Sequence, residues 1–324
     1  MKRRQVLCGV AASFLALVHS SRLSAQSKVT LIGLLDAGDR LEWWDAFRQE
    51  LRELGYVEGR NVRFDQRYAK GDLDQLPGLA KELVQLKVAL IVTSGAAAAL
   101  AAQRVTRTIP IVMATGADQV GLGLAASLAH PGGNVTGVTT LTPDLAAKRY
   151  ELLRELVPKS TRVAALWHAD NAPSGASVRE LDSATARARV AFRSVGIRSA
   201  AELTDAFSTM SRERIDALIV LNSPLIYTER RKIADLALKH KIPAMYGAAE
   251  YAEAGGLISY APSYPEMFRH AAIYVDKILK GARPADMPIE QPTTFELVIN
   301  ANAARAIGLS IPATMLARTN RVIQ

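Results

Sequence analysis

Several short polar stretches carry most of the chemistry this chain can offer, and each directly follows an apolar run. Thr93-Ser94-Gly95 ends the run VALIVTSG at residues 88–95 and opens an alanine-rich segment. Two hydroxyls beside the free N–H groups of a helix start can hold a carboxylate, and either hydroxyl can equally serve as an ordinary helix cap. Asp36 closes the run VTLIGLL, and Thr115 closes IPIVMAT. Asp118 follows in a loop with Gly116, where it can meet an ammonium group or cap the segment after it. Asn171 and Asn222 are uncharged donors and acceptors at two later run ends, suited to orienting a polar solute or to forming a turn. Aromatic residues make up only 6% of the chain. Trp43, Trp44, Trp167, Tyr246 and Tyr260 all fall near such ends, either as stacking surfaces for an aromatic solute or as core packing.

Catalytic constellations are absent from the pattern. The five histidines are His19, His130, His168, His240 and His270, and no two have metal-ligand spacing i, i+4. There is no Gly-x-Ser-x-Gly elbow. Gly121-Leu122-Gly123 lacks both a strand directly before it and the third glycine of a dinucleotide fingerprint. No metal, cofactor or catalytic residue is expected, and the chain does not read as an enzyme.

The elements that must position these residues alternate strand and helix. Apolar runs predict strands at 29–35, 61–68, 88–95, 109–115 and 134–139, with helical periodicity at 43–54, 73–86 and 96–103 between them. The breaker Pro131-Gly132-Gly133 closes this series. It restarts with helices at 145–157, 174–195 and 226–240 around strands at 162–168 and 216–221. IPAMYG and GLISY are two further strands, and Pro265 opens a helix that Gly281 ends. A stiff connection with Pro284, Pro288 and Pro292 leads to the strand FELVIN. Repeated units of this kind predict parallel sheets covered by helices on both faces. In such sheets solutes bind beyond the carboxyl ends of the strands, where all the polar stretches above lie.

At 324 residues and 49% hydrophobic content, the chain can bury a core large enough for two bodies. Formal net charge is +9, but Lys2, Arg3, Arg4 and Arg22 fall in residues 1–25 with no acid. The remainder holds 36 basic against 31 acidic residues, without a basic stripe, so no nucleic-acid partner is expected. Residues 1–25 read as an export signal: a charged start, an apolar stretch at 6–18 too short to span a bilayer, and small Ala25 at the cleavage point. The paired arginines also match the start of a twin-arginine signal. Cys8, the only cysteine, leaves with that segment, so the mature chain would have no thiol.

Four phrases carry a family resemblance. They are ELGYVEGRNV (53–62), SLAHPGGNVTG (127–137), EYAEAGGLISYAPSY (250–264) and the run AAIYVDKILKGARPADMPIEQPTTFELVINANAARAIGLSIP (271–312). Over most of residues 28–324 the chain resembles the substrate-binding proteins of ABC importers, in the family whose better-known members bind tryptophan or tyrosine. The resemblance implies two doubly wound Rossmann-like α/β lobes with a ligand cleft between them, as in type I periplasmic binding proteins. Lobe 1 would comprise 28–138 and about 262–290, and lobe 2 about 139–261 and about 291–324. It also implies a monomeric periplasmic receptor that takes an amino acid or similar small organic solute and delivers it to an inner-membrane permease. An exported ligand-binding module for a membrane sensor would have the same fold. One place departs from the family. Only GIRSAA (196–201) separates the helix expected to end near 195 from the next, where relatives carry another strand. Either the second lobe lacks that strand or residues 187–203 rearrange to supply it.

Overall fold

The computed structural model describes residues 29–38, 40–140 and 142–324; the expected export signal, with Cys8, lies outside them. The first series is β1 (Thr30–Asp36), α1 (Leu41–Glu53), β2 (Val62–Tyr68), α2 (Leu76–Gln85), β3 (Leu90–Ser94), α3 (Ala96–Val105), β4 (Ile111–Thr115) and β5 (Val135–Gly137). Its strands form a five-stranded parallel sheet in the order β2-β1-β3-β4-β5. All five residues of β3 and of β4 are buried, as expected for strands covered on both faces.

The second series is α4 (Thr142–Leu156), β6 (Arg162–His168), α5 (Ala172–Arg187), β7 (Ala191–Ile197), α6 (Leu203–Arg212), β8 (Ala217–Val220), α7 (Pro224–Thr228), α8 (Arg230–Lys239), β9 (Ala244–Tyr246) and α9 (Ala249–Glu253). It continues with β10 (Ile258–Pro262), α10 (Tyr264–Leu279), β11 (Phe295–Asn300), α11 (Ala301–Ala306), α12 (Ala313–Leu316) and β12 (Arg321–Ile323). These strands make a seven-stranded sheet in the order β12-β11-β10-β9-β8-β6-β7. Every pairing is parallel except β10 with β11, where the chain returns antiparallel.

The chain passes between the two bodies three times. It leaves the first sheet after β5, and α4 packs on α5 and β9 of the second. After β10 it returns, because α10 packs on α1 and β4 of the first body. It crosses again before β11. The first and third crossings run side by side: Val138 bridges Glu290, and the Thr139 N–H donates to the Glu290 carbonyl at 2.9 Å. Tyr274 of α10 ties the Pro-punctuated connection to the first body by donating its hydroxyl to the Pro288 carbonyl.

The second sheet keeps its outer strand, so residues 187–203 rearrange. Helix α5 stops at Arg187, not near 195, and Arg189 turns the chain at a positive φ of 56°. Residues 191–197 then pair with the whole of β6 in parallel register. As an edge strand, β7 is covered on little of its surface, so Arg193 and Ser194 are exposed within it. That half-polar pattern is why the segment reads as a helix continuation in the sequence. Two contacts with Trp167 hold it: the indole N–H donates to Ser194 Oγ at 2.9 Å, and the ring covers Gly196.

The turn out of β5 depends on Gly137. Its φ is 126°, and a Cβ there would sit 2.2 Å from the Met113 carbonyl oxygen in β4. Neither the conformation nor the neighbouring backbone admits a side chain. Gly137→Ala is expected to cost at least about 2 kcal/mol, read as a lower urea midpoint at unchanged slope. An unshifted midpoint would show that the strand tolerates the methyl group.

Candidate ligand-binding site

The carboxyl ends of β1, β3 and β4 face those of β6, β8 and β9 across a cavity of about 80 Å³. The first body contributes Arg40, Trp43, Gly95 and Thr115 to its wall, and the second contributes Arg149, Asn171, Ser177 and Asn222.

On the first side the charge is internally balanced. Asp36 is fully buried at the end of β1. Its Oδ1 accepts from the Gly38 N–H at 2.8 Å and from Arg40 Nη1 at 2.6 Å, and its Oδ2 accepts from the Trp44 indole at 2.7 Å. Arg40 Nη1 also donates to Ser94 Oγ at 3.0 Å. The guanidinium lies against the aromatic wall, 5.2 Å from the Trp43 ring and 5.7 Å from that of Tyr227. Asp36 is fully buried and does not line the cavity; it holds Arg40 at the cavity wall.

The second side carries an unbalanced cation. Arg149 on α4 is 3% exposed, and its Nε donates to the Tyr260 carbonyl at 2.7 Å. No carboxylate pairs with it among the described residues, and neither of its Nη groups has an acceptor there. Burial pulls its pKa down, yet a guanidinium stays charged at any ordinary pH. Gly247 gives it room: a Cβ there would lie 3.4 Å from the Arg149 Cζ. Asn222 is fixed beside it, donating to the Tyr264 hydroxyl at 3.1 Å and accepting from the Tyr251 hydroxyl at 3.2 Å.

Two helices begin at the wall without a side-chain cap. Gly95 precedes α3 with φ 93°, so it offers its first-turn N–H groups nothing. Asn171 precedes α5, and its Nδ2 donates to Ser174 Oγ at 2.7 Å, not to the backbone. Ser177, fully buried in the first turns of α5, has a hydroxyl with no partner. Two guanidiniums and two positive helix ends make the cavity attractive to an anion.

The bodies touch around this cavity. The Trp43 indole donates to Glu250 Oε1 at 2.5 Å, and the Tyr227 hydroxyl donates to Glu42 Oε1 at 2.5 Å. One apolar cluster runs unbroken from Trp43, Trp44 and Phe47 in the first body to Tyr227, Tyr246 and Tyr251 in the second.

Comparison with known proteins agrees with this architecture. Residues 28–323 match the model of the family described as ABC transporter substrate binding protein. The chain belongs to that family. A tyrosine-binding protein of Clostridioides difficile (strain R20291) is 27% identical over 264 residues, which is 81% of this chain and 75% of the relative. The crystal structure of an ABC domain in complex with L-Trp from Streptococcus pneumonia superposes with a TM-score of 0.85 at 27% identity, covering 91% of this chain and 100% of that one. The ligand-free, open structure of a substrate binding protein with adhesive properties from Clostridium difficile has the same coverage, but a TM-score of 0.64 at 24% identity. The fold is that of type I periplasmic binding proteins.

In this substrate binding protein, four of the residues expected from strand ends line the cavity: Gly95, Thr115, Asn171 and Asn222. Asp36 and Ser94 stand one layer behind, holding Arg40. Thr93 is fully buried in β3 with its hydroxyl unpartnered. Asp118 is exposed, at φ 57°, and accepts from the Gly121 N–H at 3.2 Å. Tyr246 stacks on Tyr251 with ring centres 4.9 Å apart, and Tyr260 offers its carbonyl while its ring stacks on Phe295. Strand-end reasoning covers residues 36–41 without singling out Arg40, and it does not reach Arg149. Arg149 had a signal: it sits four residues after Leu145 and three before Leu152, on the apolar stripe of its helix.

Two outcomes follow from these contacts. Asp36→Asn leaves Arg40 buried and uncompensated, with an expected loss of about 3–5 kcal/mol in a denaturant titration; a loss below about 1 kcal/mol would remove Asp36 from this role. Burial holds the Glu250 carboxyl above its ordinary 4.5, helped by Glu253 and Glu42 and opposed by the Trp43 indole. The folded chain thus keeps this proton at pH values where the unfolded chain has lost it. Its share of stability is complete below pH 4.5 and is lost as pH rises through the elevated pKa. Glu250→Gln should flatten that part of the stability-pH profile, and an identical slope in both proteins would exclude Glu250 as its source.

Proposed function

We propose that this protein is the solute receptor of an ABC importer, closing two lobes on a small organic solute that carries a carboxylate. The observation that carries the reading is Arg149, a buried cation without a counter-charge among the described residues, facing a cavity that the two bodies line together. The tyrosine and L-Trp named for its relatives are amino acids, which supports an amino acid or similar acid as the solute. Lobe 1 is assigned to 28–138 with about 262–290, and lobe 2 to about 139–261 with about 291–324. The paired segments at Val138 and Glu290 form part of the hinge. The better superposition on the L-Trp complex than on the open, ligand-free relative, together with the contacts of Trp43 and Tyr227 across the gap, supports a closed arrangement.

The mechanism is differential affinity. A solute that touches both lobes binds the closed form better and shifts the population toward it, and a membrane permease reads that form. The receptor works as a monomer in the periplasm, exported by residues 1–25, with no cofactor and no chemistry of its own. The mature protein is expected to gain about 2.7 kcal/mol of stability at a solute concentration of 100 times Kd. A thermal-shift screen against amino acids, hydroxy acids, keto acids and sugars would show this gain for carboxylates alone. A rise produced by sugars, with none from any carboxylate, would defeat the reading.

A further inference from the structure

We infer that the solute is a short aliphatic carboxylate without an ammonium group, of the 2-hydroxy or 2-keto acid type. This rests on the receptor reading above and narrows it. The charges of Asp36 and Arg40 cancel, which leaves the single positive charge of Arg149 in the cavity. A monoanion neutralises it. A zwitterionic amino acid would bring its own ammonium into a chamber that holds the unpaired Arg149 and two positive helix ends. Among the described residues no acidic side chain lines the wall to receive that ammonium; Asp36 is fully buried behind it and engaged with Gly38, Arg40 and Trp44. The remaining polar groups are hydroxyls and amides. Ser177 Oγ is buried there without a partner, and Thr115 and Asn171 stand on the wall with it. They suit a hydroxyl or keto oxygen next to the carboxylate.

Size points the same way. A cavity of about 80 Å³ is about half the volume of an engineered apolar cavity, about 150 Å³, that takes up benzene. No aromatic wall is bare for stacking either. Tyr264 covers one face of Trp43 at 4.3 Å and an interplanar angle of 11°, Arg40 lies over the ring, and the indole is 1% exposed. A solute of roughly three to five carbons fits this space, by the same volume comparison.

The test is calorimetry and thermal shift on the mature protein with matched sets. These are L-lactate, pyruvate and L-alanine; 2-hydroxybutyrate, 2-oxobutyrate and 2-aminobutyrate; and L-tyrosine and L-tryptophan for comparison. The expected result is that a hydroxy or keto acid binds at least about tenfold tighter than its amino counterpart, a difference of about 1.4 kcal/mol. If an amino acid binds as tightly as its deaminated partner, or if only tyrosine or tryptophan binds, this inference falls while the receptor reading stands. If no carboxylate binds, both fall. Arg149→Met should abolish the thermal shift while the unliganded protein melts no lower than wild type, since a buried unpaired charge has been removed. Arg149→Lys should bind at least tenfold more weakly yet keep the preference for acids lacking an amino group. Undiminished affinity in Arg149→Met would overturn the assignment.

Discussion

A guanidinium taken out of water loses several kcal/mol of solvation unless something returns it. Arg149 is in that position, with one hydrogen bond to the Tyr260 carbonyl and no counter-charge among the described residues. Much of the surrounding structure bears on this one side chain. It projects from the apolar stripe of α4, whose Leu152 and Leu153 are buried in the core of the second body. Gly247 lets it lie flat against the end of β9. Tyr251, Tyr264 and Asn222 surround it with oriented dipoles, none of which carries a negative charge. By contrast, Arg40 across the cavity has Asp36 beside it. The two lobes thus offer one neutral and one charged wall, and the asymmetry gives the site its electrical preference.

The aromatic contacts between the bodies set the geometry in which that charge acts. Trp43, stacked at 4.3 Å on Tyr264 of its own body, meets Tyr227 of the other at 4.6 Å and reaches Glu250 through its indole N–H. Such contacts are each worth about 0.5–1.5 kcal/mol beyond the area they bury. The contacts across the gap come from α1 on one side and from α7 and α9 on the other, elements far apart along the chain. Glu250 is strained in the same state: burial raises its pKa although the indole of Trp43 stabilises its charge. The structure therefore holds two buried ionisable groups, Arg149 and Glu250, that are not paired with each other.

The parts of the fold set by local pattern were legible in the sequence. The strand expected at 162–168 is β6 to the residue, because six of its seven positions are buried or nearly so and the run is bounded by polar turns. The strands ending at Ser94 and Thr115 were legible for the same reason. Strand β7 was not, since an edge strand needs little apolar surface and residues 184–188 are good helix formers. The helix expected at 226–240 is two helices, α7 and α8, joined at Glu229; Ser223 caps the first, with Pro224 after it. In the site, residues fixed by strand ends could be named in advance, as Gly95, Thr115, Asn171 and Asn222 show. That rule takes in residues 36–41 without singling out Arg40, and it does not reach Arg149. One enters from the loop before α1, the other from the side of α4, and only tertiary packing brings them to opposite walls of one cavity.

That packing also explains how a receptor of this build could avoid closing on nothing. In an open form the mouth of the cleft admits water to Arg149, and the charge is solvated. Closing the lobes strips that water. Without an anion the cost of the stranded charge opposes the aromatic contacts across the gap; with one, the cost is offset and the same contacts add to closure. Shifting a two-state equilibrium from one part in a hundred to ninety-nine takes about 5.5 kcal/mol of differential affinity. That is comparable to the about 3–5 kcal/mol by which an uncompensated buried charge destabilises a structure when its partner is removed. On the proposed reading, then, one unpaired side chain is enough in magnitude to make closure conditional on the solute, and the weaker contacts of Ser177, Thr115 and the two helix ends serve to choose among anions.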